Sequence, residues 1–245
     1  MLKRKMGFYE KYIKRLLDIV LASLAMIVFF WVYILIALLV RVKLGSPVVF
    51  KQPRPGLIDS KTGKERIFNL YKFRTMTDER DANGNLLPDS VRLTKFGKWL
   101  RETSLDELLE TWNIIRGDMS IIGPRPQLVR DMVFMTDEQR MRHTARPGLS
   151  GLAQIKGRNS ISWEDKIKWD LKYIKSITFM DDLKILLLTI KKVFGHGESP
   201  EELNITFDYG DELLKSGKIS TSEYNTLQIH AKNIISEYNR CGSKD

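Results

Sequence analysis

The dominant feature of the hydropathy pattern is a long run without charge. From Ile19 to Val40, 22 successive positions carry no Asp, Glu, Lys or Arg. A helix of that length spans ~33 Å at ~1.5 Å per residue, against ~30 Å for the hydrocarbon core of a bilayer. The run is apolar on every side, which favours a membrane segment over a core helix. It exceeds the roughly 7–15 residues of a signal-peptide core, and no small-residue cleavage site follows it. Six basic residues precede it (Lys3, Arg4, Lys5, Lys11, Lys14, Arg15), and Arg41, Lys43, Lys51 and Arg54 follow. Lys and Arg mark the cytoplasmic flank of a membrane helix. Two basic flanks predict that both ends stay on one side, so that the segment enters the bilayer and turns back.

Beyond this run the pattern changes period. Residues 1–15 form a basic amphipathic start and 16–44 the membrane helix. Residues 45–56 (GSPVVFKQPRPG) read as a breaker-rich exit with a short strand at VVF. The alternation in 66–76 (RIFNLYKFRTM) predicts a half-buried strand. A polar loop, 77–90, contains turn signals at Asn83-Gly84 and Pro88. Residues 94–120 predict a short helix, a cap, and a longer helix stopping at Gly117. Residues 121–131 read as a rigid loop, and 139–159 as a helical turn among Gly- and Pro-rich loops. The 162–177 segment predicts a helix with Ile167, Leu171 and Ile174 on one side. Residues 180–195 predict an apolar amphipathic helix of about 12 residues, too short to span. It would lie at a bilayer interface or in the core. The rest, 196–245, predicts two or three short helices, the last capped by Thr221 or Ser222. These shifts divide the chain into 1–44, 45–195 and 196–245. The fold class expected is α+β, predominantly helical.

Charge sharpens that division. The chain carries +10 overall, but residues 196–245 hold 5 Lys+Arg against 9 Asp+Glu, a net −4, which leaves +14 on the first 195 residues. A basic body beside a membrane segment predicts contact with anionic phospholipid head groups, then with polyanionic substrates such as nucleotides. No nucleic acid partner is expected, because no helix-turn-helix, finger or RNA-binding signature is present. The single cysteine, Cys241, excludes an intrachain disulfide framework and suits a reducing compartment. The acidic tail reads as an accessory for pairing with a second copy, as a homodimer, or with another protein.

The candidate chemistry is sparse. There is no phosphate-binding glycine loop and no metal cluster of His and Cys, and His143, His196 and His230 are scattered. What stands out is Arg and Lys in loops rich in Gly and Pro: Lys72, Arg74, Arg101, Arg125 in GPRP, Arg146 in RPG and Arg158 in GRN. A Pro-flanked Arg is held in a stiff frame, and its fork of donors suits phosphate. The acidic counterpart is TSLDELLE, residues 103–110. Ser104 and Glu107 fit a capping box, with the Ser104 hydroxyl on the Glu107 amide. Asp106 and Glu107 are then either helix-start acids or a working pair. An ionised Asp can act as a nucleophile, and Mg²⁺ takes one or two carboxylates.

Taken together, KRLLDIVLA, FKQPRPG, FNLYKFRTM, LTKFGKWLRETSLDELLETWNIIRGDMSIIGPRP, RHTARPGLSGLAQIKGRNSISW and DLKYIKSITFMDDLKILLLTIKKVF closely resemble the bacterial sugar transferase family. These are the small monotopic polyprenyl-phosphate phosphoglycosyl transferases, and the resemblance covers roughly residues 12–194. It implies transfer of a sugar 1-phosphate from a UDP-sugar to a polyprenol phosphate such as undecaprenyl phosphate, releasing UMP. That reaction would stand at the first membrane step of bacterial glycoconjugate synthesis, on the cytoplasmic face of the inner membrane. Asp106 matches the nucleophile of a ping-pong mechanism with a covalent phospho-sugar intermediate. Glu107 matches its Mg²⁺-binding partner. Arg125, Lys72, Arg101 and Arg158 match positions near the substrate phosphates. The helix at 180–195 matches an interfacial one. The membrane helix matches a re-entrant one, although small members commonly kink it with a Ser-Pro pair where this chain has Phe30 and Trp31. The alternative is a non-catalytic, membrane-anchored basic scaffold in which TSLDELLE is a cap alone.

Overall fold

The computed structural model describes residues 4–157, 160–195 and 208–242. The architecture is α+β and mostly helical, with a few short strands.

The uncharged run does not fold as one rod. It forms α1 (Lys14–Val28) and α2 (Phe30–Leu44), bent by 65° at Phe29. Phe29 leaves helical geometry (φ −102°, ψ 15°), and its carbonyl accepts from the amides of both Val32 and Tyr33. No proline makes this break, so its cause is tertiary. On the α1 side, Asp18 accepts from the Ser120 hydroxyl at 3.1 Å and the Ile121 amide at 2.9 Å, and Lys14 pairs with Asp182 at 2.6 Å. On the α2 side, the Tyr33 hydroxyl donates to the Leu108 carbonyl at 3.2 Å, while Ile36 and Val40 pack with Phe73 and Leu100. Each half is fastened to a different part of the body, and the bend satisfies both. Tyr33 therefore turns inward, whereas Trp31 stays exposed.

The polarity of α1 is inverted. Its buried residues are Lys14, Asp18 and Ala22, while Leu16, Val20, Leu24 and Ile27 are exposed. Among the described residues no single helix is long and apolar enough to cross a membrane. The Tyr9–Val28 helix and α2 pass that test only as a bent pair.

Behind α1 lies an antiparallel ribbon of β1 (Val49–Ile58) and β2 (Glu65–Phe73), with Val49 opposite Phe73 and Pro55 opposite Ile67. The strand runs through Pro53 and Pro55, well past the predicted VVF. A two-stranded ribbon has only edges, where proline's missing N–H is tolerated. Phe68 and Leu70 face Ala22, Ile114 and Met119 in one core.

Then come α3 (Lys95–Glu102), a 3₁₀ turn (Leu105–Leu109) and α4 (Glu110–Arg116). Thr94 caps α3 by accepting from the Gly97 amide at 3.0 Å. Gly97 lies against the Thr75 carbonyl, 1.7 Å from where a Cβ would sit, so only glycine lets α3 approach there. Gly117 ends α4 at φ 91°, as its position after the helix predicts. Two segments read as loops supply β3 (Ser120–Ile122) and β4 (Gly148–Ser150), which pair in parallel. This pairing joins the loops carrying Arg125 and Arg146.

Besides four helices of four or five residues, the described residues add α5 (Trp163–Lys175), α6 (Phe179–Gly195), α7 (Tyr209–Lys215) and α8 (Thr221–Gly242). At 17 residues α6 is longer than predicted, and at 22 residues α8 is one long helix rather than a short one. The cap of α8 is Ser220, which accepts from the Glu223 amide at 3.2 Å, not Thr221 or Ser222. Tyr209 packs with Phe134, Trp163 and Ile167, and Ala231 with Val129 and Met132. The described part of the acidic tail is thus built onto the body.

Candidate active site

The predicted capping box does not form. Ser104 adopts the left-handed conformation (φ 54°, ψ 19°) and its side chain makes no cap hydrogen bond. The Glu107 amide instead donates to the Ser104 backbone carbonyl at 3.2 Å. A left-handed non-glycine residue costs roughly 1–3 kcal/mol. The turn it makes separates α3 from the 3₁₀ segment and brings Asp106 and Glu107 to the wall of a cleft of about 560 Å³. Capping therefore does not account for this pair of acids.

The cleft gathers most of the residues singled out in the sequence. Asp106, Glu107, Lys72, Arg101 and Arg125 all line it, and so does Arg74. Glu107 Oε1 accepts from Lys72 Nζ at 2.8 Å and from Arg125 Nη2 at 2.7 Å. Arg101 Nε donates to Thr75 Oγ1 at 3.1 Å. Arg74 is tied to Asp78 at 2.5 Å and to the carbonyl of Leu44. Arg146 turns away and donates to the Gly117 carbonyl at 3.2 Å. Arg158 lies outside the described residues.

Burial raises the Asp106 carboxyl above its ordinary value, against the pull of Lys72 and with a further push from Glu107. Glu107 raises the Arg125 guanidinium, fixing it as a cation.

Three features were missed. Glu110 is buried, its carboxylate 3.2 Å from Lys72 Nζ, and burial pushes it up to about 7 despite that lysine. Its signal was the three-residue step from Glu107, which puts both acids on one helical side. Arg54 lines the cleft too. It stands between Pro53 and Pro55, the same frame that drew notice to Arg125. Behind the cleft, Arg142 donates to Asp170 Oδ2 through Nε at 3.0 Å and Nη2 at 2.6 Å, and Nη2 also reaches the Arg125 carbonyl at 2.7 Å. Nothing in the sequence pairs these distant residues.

Asp106 and Glu107 are the adjacent carboxylates that the cleft offers to a cation. Among the described residues no group of three or more His, Cys, Asp and Glu could hold a metal by itself. Two adjacent carboxylates beside a cation-lined cleft are what Mg²⁺ uses when phosphate and water complete its shell.

A second network has a measurable pH signature. Arg140 grips Glu65 through Nε at 2.8 Å and Nη2 at 2.6 Å, and His143 Nδ1 lies 3.0 Å from the same carboxylate. Burial alone would raise Glu65, but hydrogen bonds from His143 and Arg140 outweigh it and hold the carboxyl at about 2, below its usual 4.5. The unfolded chain therefore takes up this proton first. The stability advantage of the wild type over Glu65→Gln is full above pH ~4.5. It shrinks as pH falls from ~4.5 through ~2, a range in which His143, lowered by burial to about 4, also titrates. Denaturant titrations across that range check it, and a pH-independent difference refutes it.

Residues 9–196 match the bacterial sugar transferase family. The chain belongs to this family. As a member it is an enzyme, a transferase. The Uncharacterized sugar transferase EpsL of Bacillus subtilis (strain 168) is 50% identical over 209 residues, covering 85% of this chain and 99% of its own length. A UDP-glucose:undecaprenyl-phosphate glucose-1-phosphate transferase of Klebsiella pneumoniae is 38% identical over 191 residues, 74% of this chain and 40% of the relative. A UDP-N-acetylgalactosamine-undecaprenyl-phosphate N-acetylgalactosaminephosphotransferase of Aeromonas hydrophila is 34% identical over 191 residues, 74% of this chain and 44% of the relative. This sugar transferase thus spans nearly all of the first relative and about two fifths of the other two. The family match ends before α7 and α8.

Proposed function

We propose that this sugar transferase moves a sugar 1-phosphate from a UDP-sugar to a polyprenol phosphate, in two steps through Asp106. The observation that carries the reading is the cleft itself: Asp106 and Glu107 meet Lys72, Arg101 and Arg125 there. Relatives whose names specify UDP-sugars and undecaprenyl phosphate support the choice of donor and acceptor.

In the first step an Asp106 carboxylate oxygen attacks the phosphorus that bears the sugar. A phosphorus–oxygen bond to Asp106 forms, the bond to the bridging oxygen breaks, and UMP leaves with the electron pair. In the second, an oxygen of the polyprenol phosphate attacks the same phosphorus and the Asp106 carboxylate departs. Lys72, Arg101 and Arg125 hold the phosphate oxygens and offset charge that develops on them. Arg158 is proposed to join them. Glu107, with Asp106 beside it, would hold Mg²⁺, which supplies neutralisation of the diphosphate and the departing phosphate when bound.

Incubating the chain with Mg²⁺ and a panel of UDP-sugars, without acceptor, tests the first step by intact mass. The expected result is a gain of one sugar phosphate. Acceptor-dependent turnover with no adduct from any productive donor refutes the covalent route.

The two-step route suits a soluble donor and a lipid acceptor that visit one site in turn. The inverted polarity of α1 supports placing that site at a membrane, because its outward leucines and isoleucines need an apolar solvent. The apolar face of α6, with Met180, Leu187 and Ile190 exposed, extends that surface. The 65° bend supports a re-entrant pair whose two ends share the cytoplasmic side. With Cys241 replaced, Phe8→Cys and Phe50→Cys are expected to label from the same face of sealed vesicles. Labelling from opposite faces refutes re-entry.

A further inference from the structure

The cations of the cleft are not equally neutralised. Lys72 pairs with Glu107 and Glu110, Arg125 with Glu107, Arg74 with Asp78, and Arg92 with Asp89. Arg54 differs. Like Arg101, which meets the Thr75 hydroxyl, it has no ion pair among the described residues: its guanidinium donates to neutral oxygens, through Nη1 to the Pro126 carbonyl at 3.2 Å and through Nη2 to Gln52 Oε1 at 2.7 Å. Its Nε is buried and has no hydrogen-bond partner among the described residues. A buried donor without an acceptor costs free energy, and a buried cation without a counter-charge costs more.

The arrangement cannot relax easily. Pro53 and Pro55 fix the backbone on both sides of Arg54, and ribbon pairing sets it opposite the buried Phe68. The Pro126 carbonyl that Arg54 holds belongs to the residue after Arg125, so the two guanidinium groups share one corner. The free chain thus keeps a cation without a direct ion pair beside a second cation, in a cleft open to ligands, with Asp131 and Glu110 acting on it only from beyond ion-pair distance. An oxygen-rich anion resolves both costs at once, because its oxygens accept from a guanidinium fork and its charge offsets the repulsion.

We propose that Arg54 and Arg125 form a phosphate seat in the cleft, with Gln52 orienting the Arg54 fork. The inference rests on the reading that the enzyme's ligands carry phosphate. It adds a residue, and a place, to that reading. Two ligands bring this chemistry: the diphosphate of the nucleotide-sugar donor and the phosphate head of the lipid acceptor.

The test uses the full chain in nanodiscs and the variants Arg54→Gln and Arg54→Lys. UMP affinity reports the donor side. Undecaprenyl phosphate affinity reports the acceptor side. Arg54→Gln is expected to weaken at least one of them by about ten- to hundredfold, the range for losing a charged hydrogen bond. Arg54→Lys is expected to recover only part, since an ammonium lacks the fork. Loss confined to UMP makes the donor diphosphate the occupant. Loss confined to undecaprenyl phosphate makes it the acceptor, and loss of both means that they share the seat. Unchanged affinity for both overturns the proposal, whatever happens to thermal stability, and leaves Arg54 as a brace for Pro126. Should the wild type form no adduct with any UDP-sugar and show no acceptor-dependent turnover, the transfer reading falls by itself, and the two affinities still decide the seat.

Discussion

Asp106→Asn is expected to abolish transfer while leaving the fold standing. On the proposed route it removes the atom that bonds to phosphorus, so turnover falls by at least about 10³-fold and no sugar-phosphate adduct appears. Stability should hold or rise slightly. The Asp106 carboxyl is buried and its pKa is raised by that burial, so the folded chain gains little from its charge. Nor is a cap at risk, because Ser104 makes none. Ser104 supplies the control. Ser104→Gly relieves a left-handed conformation and is expected to stabilise the chain by about 0.5–1 kcal/mol. A working capping box would predict the reverse. Intact mass, turnover and thermal melting on these two variants check all of this. An Asp106→Asn chain that still turns over with acceptor present would exclude Asp106 as nucleophile.

The largest stability effect is expected at Asp170. Its carboxylate meets the Arg142 guanidinium where both side chains are almost fully buried. Burial raises the Asp170 carboxyl and Arg142 opposes that rise. Asp170→Asn leaves a buried guanidinium without its counter-charge, at a cost of about 3–5 kcal/mol. For a chain of this size that lowers Tm by about 10 °C. The same guanidinium holds the Arg125 carbonyl at 2.7 Å, so activity should fall with stability. The double variant Arg142→Met/Asp170→Leu separates the two effects. Apolar residues of similar volume often restore the stability of a buried ion pair. They cannot donate to the Arg125 carbonyl, so melting should recover while turnover does not. Recovery of both would show that the pair only fills space.

The legible parts of this molecule are those that local chemistry decides. Gly117 stops α4 because a left-handed residue is needed there, and Thr94 begins α3 with a hydroxyl on the next turn. The alternation of RIFNLYKF marks β2 because one side of it meets the core. Of the site, Lys72, Arg101 and Arg125 stood out as cations in loops that also hold Gly and Pro, Asp106 and Glu107 as adjacent acids in TSLDELLE, and their roles followed from the resemblance to the family. Glu110 and Arg54 were missed although Glu110 stands one helical step from Glu107 and Arg54 has the same proline frame as Arg125. Arg142 and Asp170 lie 28 positions apart, and no periodicity links them.

The sequence by itself determined an uncharged stretch too long and too apolar for an ordinary core, a basic body, and one acidic pair among fixed cations. It misjudged TSLDELLE, because Ser104 and Glu107 at that spacing favour a cap only if the chain arrives in extended geometry. Here the chain arrives from α3, which Gly97 allows to pack tightly on Thr75, and Ser104 must turn left-handed to continue. Tertiary structure decided the bend at Phe29 in the same way. Neither Phe30 nor Trp31 breaks a helix, and the run alone is compatible with a straight rod. Asp18 fastens one half to Ser120 and Ile121, and Tyr33 fastens the other to Leu108. A polar group buried against a distant partner outweighs the small cost of one broken helical turn, and that partner is visible only once the chain has folded.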